Sequence, residues 1–286
     1  MISKKLILRL VSALVMIMFC LWAIFTTSEF LFLTITFSLA LIGSLEYHLI
    51  VKKHFRLKLL IQLLNHILIF SGVWFLFQNQ QLYFLIAVAI ICILIMGTTL
   101  ITKTSFKWYT IPLIWIAFTF CLLFWIKVTV NPDIAPHVIL LLLLMVSIND
   151  SAAYFGGKSF GKVLLAPTIS PKKTKEGSLF GILGGLIGAL IGIYIWDWFY
   201  RYGPFNSSEI QLKELIFGWK LIVLILLVIP AAQIGDLIES KLKRTFNVKD
   251  SSNFIPGHGG FLDRYDAYLL AIPVYFILLI IFGISV

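Results

Sequence analysis

The sequence predicts an all-α polytopic membrane protein with about nine transmembrane helices. Of its 286 residues, 60% are hydrophobic, and the mean hydropathy is +1.00. These residues form continuous runs of about 20, the length that a helix needs to cross the hydrocarbon core of a bilayer. The runs are unbroken rather than alternating, which excludes a transmembrane β-barrel. Basic residues concentrate in alternate connectors between the runs.

The apolar runs give the spans in order. The first run is too long for a signal-peptide core, so we interpret it as an uncleaved transmembrane helix. The nine predicted spans cover residues 6–26, 30–50, 58–78, 82–100, 111–130, 137–156, 178–199, 215–235 and 267–285. Residues 1–286 are predicted to form a single integral-membrane domain. Its helices over about 6–130 would be a scaffold, and those over about 137–285 would be catalytic, with cytoplasmic loops 157–177 and 236–266.

The distribution of basic residues predicts the orientation. The N-terminus and alternate connectors hold 19 of the 23 Lys and Arg residues. Because positive charge accumulates on the cytoplasmic side, we expect the N-terminus in the cytoplasm and the C-terminus outside. The net charge of +10 is then explained by topology and by attraction to anionic membrane lipids, and no nucleic-acid partner is predicted.

Carboxylates mark the last long loop. Asp236 follows Gly235 at the end of the eighth predicted span, and Asp263 and Asp266 lie three residues apart, on one face of a helical turn. Clustered carboxylates repel each other unless a cation joins them, and Mg²⁺ needs few protein carboxylates when substrate phosphates complete its shell. Metals held in this way assist phosphoryl or nucleotidyl transfer. The alternative is a solvated helix cap in which Asp263 pairs with Arg264.

A glycine-rich turn precedes Asp263. The segment Pro256–Gly260 reads Pro-Gly-His-Gly-Gly and cannot form a regular helix. Its glycines allow backbone N–H groups to converge on an anion. His258 could donate to a phosphate or act on a proton, and a structural histidine is the alternative.

The other long loop is strongly basic. Ser170-Pro171-Lys172-Lys173-Thr174-Lys175 places three lysines within four positions beside hydroxyl donors. A triphosphate requires such neutralisation. The alternative is a juxtamembrane basic patch attracted to anionic lipid. A P-loop is excluded, because the GxxxxGK[ST] spacing is absent and no strand is predicted before it.

Two acidic residues and a glycine stripe lie within predicted spans. Ionisable residues inside a span are costly and indicate function. Asp150, near the end of the sixth span, is predicted to contact metal or substrate, or to pair with a lysine. Glu46, in the second span, is interpreted as a structural pairing residue. Gly184, Gly188 and Gly192 repeat every four residues and predict close packing against a helix of this chain or of another copy.

The two loops together resemble the bacterial phosphatidate cytidylyltransferase family, also called CDP-diacylglycerol synthases. The family's C-terminal pattern is Ser-x-hydrophobic-Lys-Arg, four residues, Lys-Asp, and then Pro-Gly-His-Gly-Gly-x-x-Asp-Arg-x-Asp. The matching positions are Ser240, Leu242, Lys243, Arg244, Lys249, Asp250, Pro256, Gly257, His258, Gly259, Gly260, Asp263, Arg264 and Asp266. The block from Ser170 to Gly177 is also similar to the family's Ser-Pro-Lys-Lys-Thr-x-Glu-Gly. Tyr265 and Ala267 depart from the residues usual in the family.

The resemblance implies the reaction of CTP with phosphatidic acid to give CDP-diacylglycerol and pyrophosphate. It implies Mg²⁺ as cofactor, allows a second cation, and suggests a homodimer. The expected location is a bacterial cytoplasmic (inner) membrane, with the active site facing the cytoplasm. The predicted catalytic residues are Asp236, Asp263, Lys173 and Arg264, and the predicted metal ligands are Asp236, Asp263 and Asp266. The predicted substrate contacts are Ser170, Lys172, Lys175, Lys243, Arg244, Lys249, His258, Gly259, Gly260 and Asp150.

Two other functions are alternatives to this one. A CDP-alcohol phosphotransferase also combines CDP-lipid chemistry with membrane aspartates, but its Asp-Gly-x-x-Ala-Arg pattern is missing. An anion or lipid transporter would carry charges at the membrane midplane and broken, repeated helices. Here the polar residues crowd one predicted membrane face, which favours an enzyme at the interface.

Overall fold

The computed structural model is predominantly helical and confirms the predicted fold class. It describes residues 4–51, 59–78, 80–102, 110–202, 215–252, 254–255 and 259–284. Within these ranges, six helices are long and apolar enough to cross a membrane, and shorter apolar helices cover Leu10–Phe25, Leu63–Leu76 and Leu85–Gly97. Each of the nine predicted spans therefore corresponds to a helical segment.

The order of the helices follows the order of the apolar runs. The N-terminal elements are α1 (Lys4–Phe25), α2 (Glu29–Val51), α3 (Leu59–Phe77), α4 (Gln81–Thr102), a π-helical turn (Pro112–Ala117) and α5 (Phe118–Thr129). The later elements are α6 (Ala135–Phe160), β1 (Leu164–Ala166), β2 (Ser170–Thr174), α7 (Lys175–Tyr202), α8 (Trp219–Thr245), α9 (Leu262–Tyr265) and α10 (Tyr268–Ile281).

The connector predicted over 236–266 begins later than expected. Helix α8 continues past Gly235 to Thr245, so Asp236 lies inside a helix and not in a loop. Basic side chains in the last turn favour the helix, since they complement its negative C-terminal dipole. The helix ends where Asn247 adopts φ 54° and the Val248 N–H donates to the Lys243 carbonyl at 2.9 Å. Asparagine tolerates this left-handed conformation better than most residues.

The loop predicted over 157–177 also contains regular structure. Helix α6 extends to Phe160, and β1 pairs with β2 as an antiparallel hairpin, with Leu164 opposite Thr174 and Ala166 opposite Ser170. The basic block Ser170–Thr174 is therefore a strand. Because successive side chains of a strand point to opposite faces, Lys172 and Lys173 are directed apart.

The chain forms two compact units. The first unit comprises Met1–Phe124 with Lys243–Tyr265, and the second comprises Trp125–Leu242 with Asp266–Val286. Each unit thus combines segments that are far apart in sequence. The glycine-rich turn belongs to the first unit, whereas the hairpin and Asp236 belong to the second. The predicted division of labour between scaffold and catalytic helices concerns function and stays a prediction.

Within the second unit, the glycine stripe packs α7 against α6. A Cβ atom at Gly184 would lie 2.7 Å from the Ile148 carbonyl oxygen, and one at Gly188 would lie 2.5 Å from the Leu144 carbonyl oxygen. Both distances are too short for any side chain, so the two backbones approach each other directly. The partner of the stripe is therefore a helix of the same chain.

The close approach of α6 and α7 predicts a stability effect. Gly188→Ala should lower the apparent melting temperature of the purified protein in detergent, because the added methyl group must push two backbones apart. Overpacking of this kind costs about 1–3 kcal/mol. Gly97→Ala is the control, since a Cβ atom at Gly97 meets nothing within 4 Å. Equal melting temperatures for the two variants would contradict the packing described.

Candidate functional site

Four carboxyl groups gather in the second unit. Asp150 on α6, Asp236 and Glu239 on α8, and Asp266 just before α10 form what we name the carboxylate cluster. Asp266 lies within electrostatic range of the other three, and Asp150 within range of Asp236. The structure therefore brings together three residues that the sequence predicted for metal or substrate binding. Glu239 was missed, although it follows Asp236 by three residues on the same helix.

Lys173 brings positive charge to this cluster. Its ammonium group forms an ion pair with Oδ2 of Asp236, and it is also within electrostatic range of Asp150. The hydroxyl of Ser240, one turn further along α8, donates to Oδ1 of Asp236 at 3.3 Å. Both partners of the ion pair are about 30% exposed, so solvent screens the pair and its contribution to stability is small, about 0–1 kcal/mol. The ion pair matters for geometry, because it fixes the position of the Lys173 ammonium group beside the carboxylate cluster.

The hairpin is held in place by the start of α7. Oε2 of Glu176 accepts hydrogen bonds from the backbone N–H groups of Lys162 at 3.0 Å and Val163 at 3.2 Å. The Thr174 hydroxyl accepts a hydrogen bond from the Gly177 N–H at 3.1 Å. These bonds tie both ends of the hairpin to one helix terminus, and so fix the strand that carries Lys173.

A chain of amide groups supports Asp150. The side-chain N–H of Asn149 donates to Asp150 Oδ1 at 2.8 Å, and Nε2 of Gln233 on α8 donates to Asn149 Oδ1 at 2.9 Å. Ser178 in turn donates to the Gln233 side-chain oxygen. A Cβ atom at Gly181 would lie 2.5 Å from Asn149 Oδ1, so only glycine leaves room for this chain. Gln233 was not predicted as a site residue; its one signal in the sequence is an amide inside an apolar run.

In the first unit, Asp263 organises the glycine-rich loop. Its Oδ1 accepts a hydrogen bond from Lys243 Nζ at 2.7 Å, and its Oδ2 accepts from the backbone N–H groups of Ser251 at 3.0 Å and Gly260 at 2.9 Å. Both oxygens therefore face protein donors. The Gly260 N–H, predicted as a phosphate donor, is directed at Asp263. Gly259 has φ 84°, a conformation that favours glycine.

Glu46 was interpreted from sequence only as a structural pairing residue, and the structure places it against this loop. Its side chain on α2 is 3% exposed and accepts hydrogen bonds from the Ser251 and Ser252 hydroxyls and from the Phe261 and Leu262 N–H groups. Phe261 also stacks on Tyr265, with ring centroids 4.3 Å apart. The pairing could not be found locally, because 205 residues separate Glu46 from Ser251.

The remaining predicted site residues are half-buried or exposed where the structure describes them. Ser170 is half-buried on β2, and the exposed residues are Lys172, Lys175, Arg244, Lys249 and Arg264. His258 lies outside the described residues. Asp236 and Asp263, the two residues predicted to share metal binding, belong to different units. Their metal roles stay predictions.

The donor set of the carboxylate cluster fits a hard cation. Carboxylate, hydroxyl and amide oxygens are the ligands that Mg²⁺ prefers. In the part of the chain that the structure describes, no group of three or more His, Cys, Asp or Glu side chains forms a ready metal site. Magnesium commonly binds one or two carboxylates and completes its shell with water and substrate phosphates. A metal ion here would need ligands from water or a bound substrate in addition to the carboxylates.

The apolar helices define an integral-membrane protein, and its polar side chains form one cluster in each unit. The sequence profile described as "Cytidylyltransferase family" matches residues 7–282, and the chain belongs to this family. The match confirms the resemblance that the two motif blocks indicated.

Relatives with assigned names agree with the family. A phosphatidate cytidylyltransferase of Staphylococcus aureus (strain COL) is 39% identical over 144 residues, which are 50% of this chain and 49% of the relative. The phosphatidate cytidylyltransferase of Bacillus subtilis (strain 168) is 40% identical over 137 residues, 47% of this chain and 44% of the relative. The chain thus spans about half the length of the relatives it matches.

Proposed function

We propose that this protein is a phosphatidate cytidylyltransferase, which transfers CMP from CTP to phosphatidic acid. The products are CDP-diacylglycerol, a precursor for phospholipid biosynthesis, and pyrophosphate. The observation that carries the proposal is Lys173: the basic block of the family motif is a strand that delivers this ammonium group to the carboxylate cluster. The names of the relatives point to the same reaction.

The chemistry requires charge neutralisation more than proton transfer. A phosphate oxygen of phosphatidic acid attacks the α-phosphorus of CTP, and the bond from that phosphorus to the bridging oxygen breaks, releasing pyrophosphate. The nucleophile is already anionic near neutral pH, so no strong general base is required. The difficulty is to hold two polyanions in line, which positioned positive charge overcomes.

The residues have separable tasks in this proposal. Lys173, held by Asp236, neutralises a phosphate, and Lys172 on the hairpin and Lys175 at the start of α7 add positive charge. Asp236 and Asp266, with Asp150 beside them, would hold Mg²⁺, which when bound neutralises phosphate oxygens. Asp263, in the first unit, is proposed separately as a metal ligand.

Further phosphate contacts are proposed for the glycine-rich loop and for residues near it in sequence. Arg264, Arg244 and Lys249 are exposed cations suited to phosphate. Gly259 and His258, from the family motif, are proposed as further substrate contacts. The excess of positive charge on alternate connectors supports a cytoplasmic active site in a bacterial inner membrane. We also propose a homodimer, for which the family resemblance is the support.

The reaction can be tested with purified protein in detergent micelles. We expect pyrophosphate release from CTP that requires phosphatidic acid and Mg²⁺, with CDP-diacylglycerol detected by mass spectrometry. Diacylglycerol, which lacks the nucleophilic phosphate, is the matched lipid control and should give no release. Pyrophosphate release that ignores phosphatidic acid, or lipid transport without any release, would overturn the proposal.

A further inference from the structure

We propose that Glu46 is a positioning residue that holds both stems of the glycine-rich loop and thereby fixes the positions of the Asp263 carboxylate and the Lys243 ammonium group. We name residues 251–252 the first stem and residues 261–262 the second stem of this loop. Because the loop is assigned to nucleotide binding, this role rests on the proposed function. All residues involved belong to the first unit.

Each oxygen of Glu46 joins one stem to the other. Oε1 accepts from the Ser252 hydroxyl at 2.5 Å and from the Phe261 N–H at 2.8 Å. Oε2 accepts from the Ser251 hydroxyl and the Leu262 N–H, both at 2.8 Å. Each oxygen thus accepts from one serine hydroxyl and one backbone N–H, and the single carboxylate joins the two stems at the base of the loop. We name this arrangement the clamp.

The arrangement requires an acceptor at both oxygens. The two backbone N–H groups can only donate, so a side-chain amide would direct its own N–H at one of them. Such a buried donor without an acceptor costs about 1–3 kcal/mol. Space is limited as well: a Cβ atom at Gly260 would lie 1.8 Å from Ser251 Oγ and 2.8 Å from Glu46 Oε2.

The clamp is connected to Asp263 through the same residues. Ser251 donates its hydroxyl to Glu46 and its N–H to Asp263, and Asp263 follows Leu262 directly. Asp263 in turn accepts from Lys243 at 2.7 Å. A shift of either stem would consequently move the Asp263 carboxylate and the Lys243 ammonium group. Glu46 contacts no reacting atom in this scheme and acts through the loop.

The kinetic test compares Glu46→Gln and Glu46→Asp with wild type. Glu46→Gln should raise the KM for CTP about tenfold and lower kcat/KM about 100-fold, a loss like that of one preorganised catalytic contact. Glu46→Asp, which keeps two acceptor oxygens, should recover part of the loss. Glu29→Gln is the matched control, because Glu29 is exposed at the start of the same helix, and it should behave as wild type. A purely structural role would lower apparent kcat with the folded fraction and leave the KM for CTP unchanged, which would overturn the proposal.

A second measurement does not depend on activity. Hydrogen exchange of the Phe261 and Leu262 amides should be at least about tenfold faster in Glu46→Gln, while the amides of α3 keep their wild-type rates. Unchanged exchange at these two amides would overturn the clamp. If wild-type protein makes no CDP-diacylglycerol but the exchange changes as expected, the proposed function fails and the clamp stands.

Discussion

Asp263→Asn should reduce the rate of CDP-diacylglycerol formation at least about 1000-fold, equivalent to about 4 kcal/mol of transition-state stabilisation. The substitution removes the charge that faces Lys243 at 2.7 Å. In the wild type, the backbone N–H groups of Ser251 and Gly260 donate to the Asp263 carboxylate. In the variant, the side-chain N–H of Asn would face one of these donors instead. The measurement is single-turnover product formation by variant protein that elutes as wild type on gel filtration.

The control for this substitution is Asp133→Asn, an exposed aspartate outside both polar clusters, which should retain wild-type turnover. Near-wild-type turnover in Asp263→Asn would remove Asp263 from the catalytic machinery. The Mg²⁺ dependence of the residual activity separates its two roles. A higher half-saturating concentration supports metal binding, whereas an unchanged one supports positioning of the loop and Lys243.

Asp236→Asn should lower turnover about 100- to 1000-fold, as expected when one positioned electrostatic group is lost. The ion pair with Lys173 disappears, so the ammonium group is no longer fixed in the carboxylate cluster. The cluster also loses one of the carboxylates that we propose for Mg²⁺, and the half-saturating Mg²⁺ concentration should rise. Initial rates of pyrophosphate release across a Mg²⁺ titration measure both effects. If Asp236→Asn kept the wild-type rate and the wild-type Mg²⁺ dependence, Asp236 would be excluded from the site.

The membrane architecture could be predicted from sequence because it depends on the length of apolar runs. The two errors concern segments where hydropathy carries no signal. Helix α8 continues for ten residues beyond its predicted end, through a charged stretch that ends at Asn247. Strand β2 consists of Ser-Pro-Lys-Lys-Thr, which lacks the alternation of apolar and polar residues typical of a half-buried strand.

The candidate site was predictable in part. Motif spacing identified Asp236, Asp263 and Lys173, and each has a polar partner in the structure. The groups that support them were not predictable, because their partners are distant in sequence. Gln233 meets Asn149 across 84 residues, and Glu46 meets Ser252 across 206. A buried charge in an apolar run indicates that a partner exists, but only the fold identifies it.

The separation between Glu46 and its partners has a consequence for biogenesis. Helix α2 leaves the ribosome early, whereas the two stems that satisfy its carboxylate are synthesised about 200 residues later. At typical elongation rates of about 5–20 residues per second, the delay is about 10–40 s. During that time the nascent chain carries an acid inside an apolar helix without its final donors. Assembly of the glycine-rich loop must therefore wait until residues 251–262 have been translated, and a chain interrupted before residue 251 would leave this acid without those donors.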